Sequence, residues 1–443
     1  MKKNKASCFV GIAFLCIIVF FFSSVCYRVY RVKRYFDYGI SGQQSETFGT
    51  AAVDYKWPEK YPFSENEKFV YENDSSKEEK NETQSEYKST YLTATDKIKD
   101  SVEYYATKLL PGRMKYIETN AWFNKIVGMK VVSGTDSVVV MKNGYLTFEN
   151  NSVVSGDYAS KSIKWFSDEL SERGIGFAYI QYPAKEKKDD VQLPDGIVDN
   201  SNKNADRLLN KLNNEGVKCV DLRESLAKKS DDWYSNFFVT DHHWKPETGL
   251  WASGQIIDLL NSDFSLSLER KKVNINRYKI DVYEKINFGS QGKVSTLSFA
   301  DPEDFSLIYP KEKTSITVQY NTDPEMTGRF EDVLFNKENL NDKDYYNFSA
   351  YSTYLNGNKA ITKILNNDCK NGKKIIVIGD SYNKCVVPYL SQAVETVELI
   401  DRRYFDGSLM NYIDKEKPEI VLVAYTPTIL SDNQSHSSTF NFE

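Results

Sequence analysis

Two of the three histidines of this chain are adjacent, in Thr240-Asp241-His242-His243-Trp244, and the third is His436. Imidazole is the side chain whose ordinary pKa lies closest to neutrality, which makes it the usual general base. Imidazole chemistry is therefore expected at 242 or 243. A carboxylate two residues before an imidazole can orient it, and an oriented imidazole can draw the proton from a hydroxyl. The hydroxyl that fits is Ser381, far downstream in Ile378-Gly379-Asp380-Ser381-Tyr382. Ser381, His243 and Asp241 together supply nucleophile, base and orienting acid.

These residues need elements that hold them. Ile375-Ile376-Val377-Ile378 is an apolar run that predicts a buried strand, and it delivers Ser381 to the strand's C-terminal tip, the edge where α/β sheets bind ligands. Asp241 and His243 precede Lys245-Pro246-Glu247, where Pro246 suits a first helical turn, and Leu250, Ile257 and Leu260 continue a helical period. Around them helix and strand alternate. Ile163, Phe166 and Leu170 predict a helix closed by Gly174, and the apolar run 176–180 a strand. Ala205, Leu208, Leu209 and Leu212 predict a second helix closed by Gly216, and residues 217–222 a second strand. Further strands are expected at 397–400 and 419–424. This rhythm is that of parallel βαβ units. It breaks between about 262 and 350, which reads as a β-rich or irregular insertion that could serve as a lid, and a strand-rich piece with an Asn143-Gly144 turn precedes the alternation at 130–148.

The 57 basic and 62 acidic residues give a net charge of −5, so no cationic surplus points to nucleic acid. Lys2, Lys3 and Lys5 precede an uncharged apolar run from Ala6 to Tyr27, long enough for a bilayer core, which predicts a retained transmembrane anchor after a short cytoplasmic tail, 1–5. Arg28, Arg31, Lys33 and Arg34 follow it, so flanking charge does not orient the anchor. Residues 28–95 form a juxtamembrane spacer, dense in Glu, Lys, Asn and Ser from Asn73 to Ser89. A helix is expected from Thr95 to Leu109, at the start of a catalytic domain covering 96–430, with a tail at 431–443. Of six cysteines, Cys219, Cys369 and Cys385 lie outside the anchor, an odd number without Cys-x-x-Cys spacing, so buried free thiols are expected and no zinc site or disulfide framework.

The block Ile378-Gly379-Asp380-Ser381 resembles the nucleophile block of SGNH hydrolases, and Asp241-His242-His243-Trp244-Lys245-Pro246-Glu247-Thr248-Gly249 resembles their Asp/His block. The order is reversed relative to ordinary members, which matches the circularly permuted DHHW proteins and the related alginate O-acetylation proteins. Phe63-Ser64-Glu65-Asn66-Glu67, Phe288-Gly289-Ser290-Gln291-Gly292-Lys293, Tyr354-Leu355-Asn356-Gly357 and Asp401-Arg402-Arg403-Tyr404-Phe405 resemble further landmarks of the DHHW group. The resemblance implies a permuted SGNH-like α/β domain with a parallel sheet flanked by helices. It also implies a membrane-anchored, extracytoplasmic serine O-acetyltransferase acting on a cell-surface or secreted polysaccharide, with a multi-spanning membrane O-acyltransferase as acetyl donor and no cofactor or metal. An SGNH-type carbohydrate esterase and a silent glycan-binding or scaffold protein are the alternatives. A metal-dependent phosphoesterase would need further aspartate motifs, for which Asp189-Asp190, in a charged run, is a poor candidate. The SGNH oxyanion Asn and Gly have no counterpart here, which leaves the Ser381 amide with Tyr425, Thr426 or Arg402 as donors. Trp244, Tyr382 and Tyr404 are the candidates for stacking on a sugar.

Overall fold

Eight strands build the main sheet of this computed structural model, which describes residues 69–70, 113–132, 137–340, 344–432 and 439–442. In chain order they are β1 (Gly176–Gln181), β2 (Cys219–Asp221), β3 (Ile316–Tyr320), β4 (Met326–Gly328), β5 (Ile361–Asn366), β6 (Lys374–Gly379), β7 (Thr396–Ile400) and β8 (Ile420–Tyr425). They lie side by side as β4-β3-β5-β7-β6-β8-β1-β2. The pairs from β7 to β2 are parallel, as the alternating pattern predicts. The sheet as a whole is mixed, not purely parallel: β5 runs antiparallel to β7, β3 to β5 and β4 to β3. Only a five-residue link, 321–325, joins β3 to β4, too short for the crossover a parallel pair requires.

Those antiparallel strands change the reading of the 262–350 segment. Part of it, Tyr278–Asn287 with Glu303–Pro310, is a long antiparallel hairpin. Another part, β3 and β4, extends the main sheet. Phe305, Leu307, Ile308, Ile316 and Val318 are fully buried, so the segment belongs to the core and is no lid over it.

The central strands β6 and β8 are buried on both faces, and their side chains alternate between two cores as a strand's period of two requires. Ile375, Val377, Ile420, Leu422 and Ala424 face one core, which the helix Pro246–Phe264 completes with Leu250, Ile256, Ile257 and Leu260. Ile376, Ile378, Val421 and Val423 face the other. There the helices Asp157–Glu172, Ser201–Asn214 and Leu409–Glu416 close the layer with Phe166, Leu208 and Ile413. Truncating one such side chain, as in Ile376→Ala, costs about 2–5 kcal/mol through lost transfer energy and the cavity left behind. Phe440 and Phe442, expected in a tail, pack in this second core, Phe442 stacked on Phe166 at 4.8 Å between ring centroids.

Two smaller pieces complete the frame. Val131–Val132, Val138–Val140 and Leu146–Phe148 form a three-stranded sheet beside the strand tips. Phe69–Val70 pairs in parallel with Phe405–Asp406. Cys219, Cys369 and Cys385 are free thiols; only Cys385 is fully buried, the other two being half-buried. Among the described residues no helix is long and apolar enough to cross a membrane. The predicted anchor at 6–27, the predicted helix from Thr95 to Leu109 and His436 lie outside the described residues.

Candidate active site

The tip of β6 is held by backbone contacts of the sheet itself. Asp380 accepts from the Tyr382 amide at 3.0 Å and, through its other oxygen, from the Thr426 amide and hydroxyl at 2.9 and 2.8 Å. Asn383 donates to the Ala424 carbonyl at 3.0 Å and accepts from the Tyr182 hydroxyl at 2.6 Å. Gly379 makes room for this: a Cβ there would stand 2.1 Å from Asn383 Nδ2. These bonds tie the 3₁₀ turn Ser381–Cys385 to β8 and aim Ser381 off the strand end.

The Asp241–His243 loop has no strand to ride on. Phe237 and Trp244 form an isolated antiparallel bridge, and the loop between them hangs from side chains. Glu303 accepts from the amides of Val239 and Thr240 and from the Thr240 hydroxyl, all at 2.7 Å. Gly289 donates to Thr240 Oγ1 at 3.1 Å and Gly292 to the Thr240 carbonyl at 2.8 Å. A Cβ on Gly289 would stand 2.2 Å from Asp241 Cβ, so only glycine permits this approach. The buried Lys185 ammonium ties the same loop down, donating to Gln291 Oε1 and the Leu146 carbonyl at 2.6 Å and to the Val239 carbonyl at 3.2 Å.

The two halves meet in one chain of hydrogen bonds. Asp241 Oδ1 lies 2.8 Å from His243 Nδ1, and His243 Nε2 lies 2.7 Å from Ser381 Oγ. All three residues are buried. Burial opposes ionisation of Asp241, but the His243 charge and hydrogen bond, with His242, outweigh it and hold the carboxyl far below its ordinary value. Burial lowers the His243 pKa and the nearby Lys384 charge adds to this, against the pull of Asp241. At neutral pH the pair is thus a carboxylate and a neutral imidazole. The carboxylate selects the tautomer with the proton on Nδ1, which leaves the Nε2 lone pair toward the serine hydroxyl. That arrangement can abstract a proton from Ser381 and return it.

Tyr351 packs flat on the His243 ring, at 3.8 Å between centroids and 14° between planes, and the Lys384 ammonium lies 5.0 Å from the Tyr351 centroid. The His242 Nδ1 lies 2.8 Å from Ser290 Oγ and 3.2 Å from the same Asp241 Oδ1, and its carbonyl accepts from the Tyr382 hydroxyl. Asp241, His242 and His243 also bring three potential ligand atoms within 4.8 Å of one another, a grouping able to hold a metal ion. The same Asp241 and His243 are joined in the hydrogen-bonded chain to Ser381, so the two uses compete.

The other expected site residues divide. The Ser381 amide donates to no group among the described residues and stays available to an oxyanion. Thr426 spends its amide and hydroxyl on Asp380. Tyr425 donates its hydroxyl to the Thr439 carbonyl at 2.9 Å, and its ring packs in the second core. Arg402 donates to the carbonyls of Asn441, Phe405 and Gly407. All three are occupied structurally. Trp244 is fully buried between Tyr182 and Tyr382 and offers no face to a sugar. Tyr404 lies beyond β7 beneath the Arg403 guanidinium, 5.6 Å from its centroid. Tyr382 alone of the three aromatics borders a cavity beside the site. Sequence reasoning missed Glu303, Tyr351 and Lys185. Gly289 was visible within its motif, but nothing local shows that it presses on Asp241.

With this geometry in view, the family described as SGNH hydrolase-like domain, acetyltransferase AlgX, matches residues 155–283, which include Asp241 and His243. In fold the chain is similar to Bacillus cereus PatB1, solved with a sulfonyl adduct, at a TM-score of 0.57 and 21% identity over 70% of this chain and 99% of that one. It is also similar to a DHHW family protein from Eubacterium siraeum, at 0.54 and 19% over 71% and 97%. No curated protein matches the chain in sequence.

Proposed function

We propose that this chain, whose SGNH hydrolase-like region matches that of the acetyltransferase AlgX, is an O-acetyltransferase that passes acetyl through Ser381 to a polysaccharide hydroxyl. The observation that carries the reading is the unbroken hydrogen-bonded chain from Asp241 through His243 to Ser381 at the tip of β6. In the first half-reaction Ser381 Oγ attacks the donor's acetyl carbon while its proton moves to His243 Nε2. The donor's oxygen then leaves with that proton, and acetyl-Ser381 remains. In the second, a sugar hydroxyl gives its proton to Nε2 as its oxygen attacks the acetyl carbon, and Ser381 leaves and takes the proton back. The Ser381 amide supplies one oxyanion donor. Serine after the Asp/His pair reverses the usual SGNH order and reads as a circular permutation.

The rest of the reading follows from the sequence. Residues 6–27 anchor the chain in a membrane, with the catalytic domain outside the cytoplasm. No Gly-rich phosphate loop appears in the sequence, so a multi-spanning membrane O-acyltransferase delivers the acetyl group. Full-length protein in detergent, given a small activated acetyl ester, should accumulate acetyl on Ser381 by peptide mass spectrometry, and a serine-reactive sulfonyl fluoride should block it. With a saturating glycan acceptor, sugar ester should exceed free acetate; an excess of acetate would make the protein an esterase. No acylation at Ser381 at all would make it a silent glycan-binding protein. Protease added to intact protoplasts should remove the domain.

A further inference from the structure

Beside the candidate site lies a cavity of about 550 Å³ at the strand tips. Its wall includes His242 and Tyr382, the chain neighbours of His243 and Ser381. Glu186, just beyond β1, forms a second part, and Phe148, Glu149 and Asn151, from the small three-stranded sheet and the segment after it, form a third. Small-molecule sites commonly fall in the range of about 300–1,000 Å³.

Glu186 decides what the cavity can hold. The residue is 5% exposed. Among the described residues no side chain donates to its carboxyl, and the one donor near it is its own backbone amide. Lys185, next in the chain, is turned away and spends its ammonium on Leu146, Val239 and Gln291. A buried carboxyl without a partner is costly, and the cavity is the side from which a partner can come. Burial, reinforced by Asp199 and opposed by Lys185, pushes this carboxyl up to about 8, so near neutral pH it can donate as well as accept.

The remaining lining has the same bias. No lysine or arginine lines the cavity among the described residues, and Glu149 adds a second acid. Phe148 and His242 lie 6.0 Å apart and His242 and Tyr382 6.4 Å apart, centroid to centroid. Aromatic faces accept the C–H face of a pyranose, while a carboxyl and an amide pair with its hydroxyls. A carboxylate- or phosphate-bearing ring would instead find no cation to neutralise it and, once Glu186 is ionised, would meet like charge.

We infer that this cavity is the acceptor subsite and that Glu186 selects an uncharged glycan over a polyanionic one, an inference that rests on the transferase reading above for the word acceptor. The test is equilibrium binding to the full-length Ser381→Ala variant, which cannot turn over. The probes are oligosaccharides of one length: N-acetylglucosamine oligomers, uronate oligomers and glucosamine oligomers. The uncharged oligomer should bind at least tenfold more tightly than the uronate. Above about pH 8, where Glu186 is ionised, adding Glu186→Gln, which keeps the shape and removes the charge, should narrow that gap several-fold, and Glu186→Lys should close or reverse it. Cooperative thermal unfolding shows each variant to be folded, and the Gln variant stands if the Lys variant is not. Uronate binding as tight as the uncharged oligomer, a gap unmoved by Glu186→Gln, or no binding of either class overturns the inference. Tightest binding of the glucosamine oligomer also overturns it, in favour of a cationic glycan. If Ser381 is never acylated yet the charge preference holds and depends on Glu186, the transferase reading fails and the recognition site stands.

Discussion

The two halves of the candidate site are held in opposite ways. Ser381 rides on β6, between β7 and β8, and its neighbours bond to the backbone of β8 and to the turn that follows it. The Asp241–His243 loop has no such rail. It hangs from Glu303, Gly289 and Gly292, all in or beside the long hairpin of the 262–350 segment. A residue at a buried strand tip is placed by topology, and the fold must fail before it moves. A residue on a loop is placed by distant partners, and one altered contact can move it while the fold survives.

The largest effects should come where the halves meet. Ser381→Ala, His243→Ala and Asp241→Asn should each lower kcat/KM for an activated acetyl ester by about 10³-fold or more at an unchanged unfolding midpoint, because the three groups act as a unit. His242→Ala should be milder, since its ring reaches Ser290 and the Asp241 carboxylate while His243 holds Ser381. Near-parental turnover in Ser381→Ala would break the serine mechanism.

The two glycines separate placement from stability. Gly289→Ala pushes on Asp241 and should cost about 10²-fold in kcat while the protein stays folded. Gly379→Ala pushes on Asn383 and the Ala424 carbonyl inside the sheet, and should cost about 1–3 kcal/mol of stability in denaturant unfolding. Equal loss of stability in both would erase the contrast.

Glu303→Gln should combine the two effects, losing about 1–3 kcal/mol because one neutral acceptor replaces a carboxylate that serves three donors. kcat should fall with it as the loop loosens.

A smaller shift is expected with pH. In the proposed mechanism the neutral imidazole is the base, and its pKa is lowered in the fold, so activity should persist as pH falls through 6.5 and decline only below it. Lys384→Met removes a charge that disfavours imidazolium, so the acid limb should move upward; a downward move would show that Lys384 does not act on His243 electrostatically. The smallest effect concerns metal. Prolonged chelation should leave ester turnover unchanged, and a loss restored by a divalent ion would transfer the Asp241, His242 and His243 cluster to metal binding.

Much of the architecture was legible because it is local. The buried runs at 176–180, 375–378, 397–400 and 419–424 are strands within a residue or two of their expected ends. Proline at 246 opens its helix, and Gly174 and Gly216 follow theirs in the left-handed conformation. The reading failed where alternation is short and polar. β3 to β5 carry threonine, glutamine and lysine on their half-exposed face, so their place toward the sheet's edge leaves no apolar run.

The sequence by itself determined which residues could form a serine–histidine–aspartate chain and that strand and loop would bring them to one sheet edge. Residue type sets chemistry, and periodicity sets local backbone geometry. Only the tertiary structure decided how the remaining groups are used. Trp244 became core, and Thr426, Tyr425 and Arg402 were spent on neighbours, because a donor's partner lies wherever the fold brings an acceptor. Glu186, inside a charged run that looks solvated, was left facing a cavity without a cation because Lys185 beside it turned toward three other acceptors.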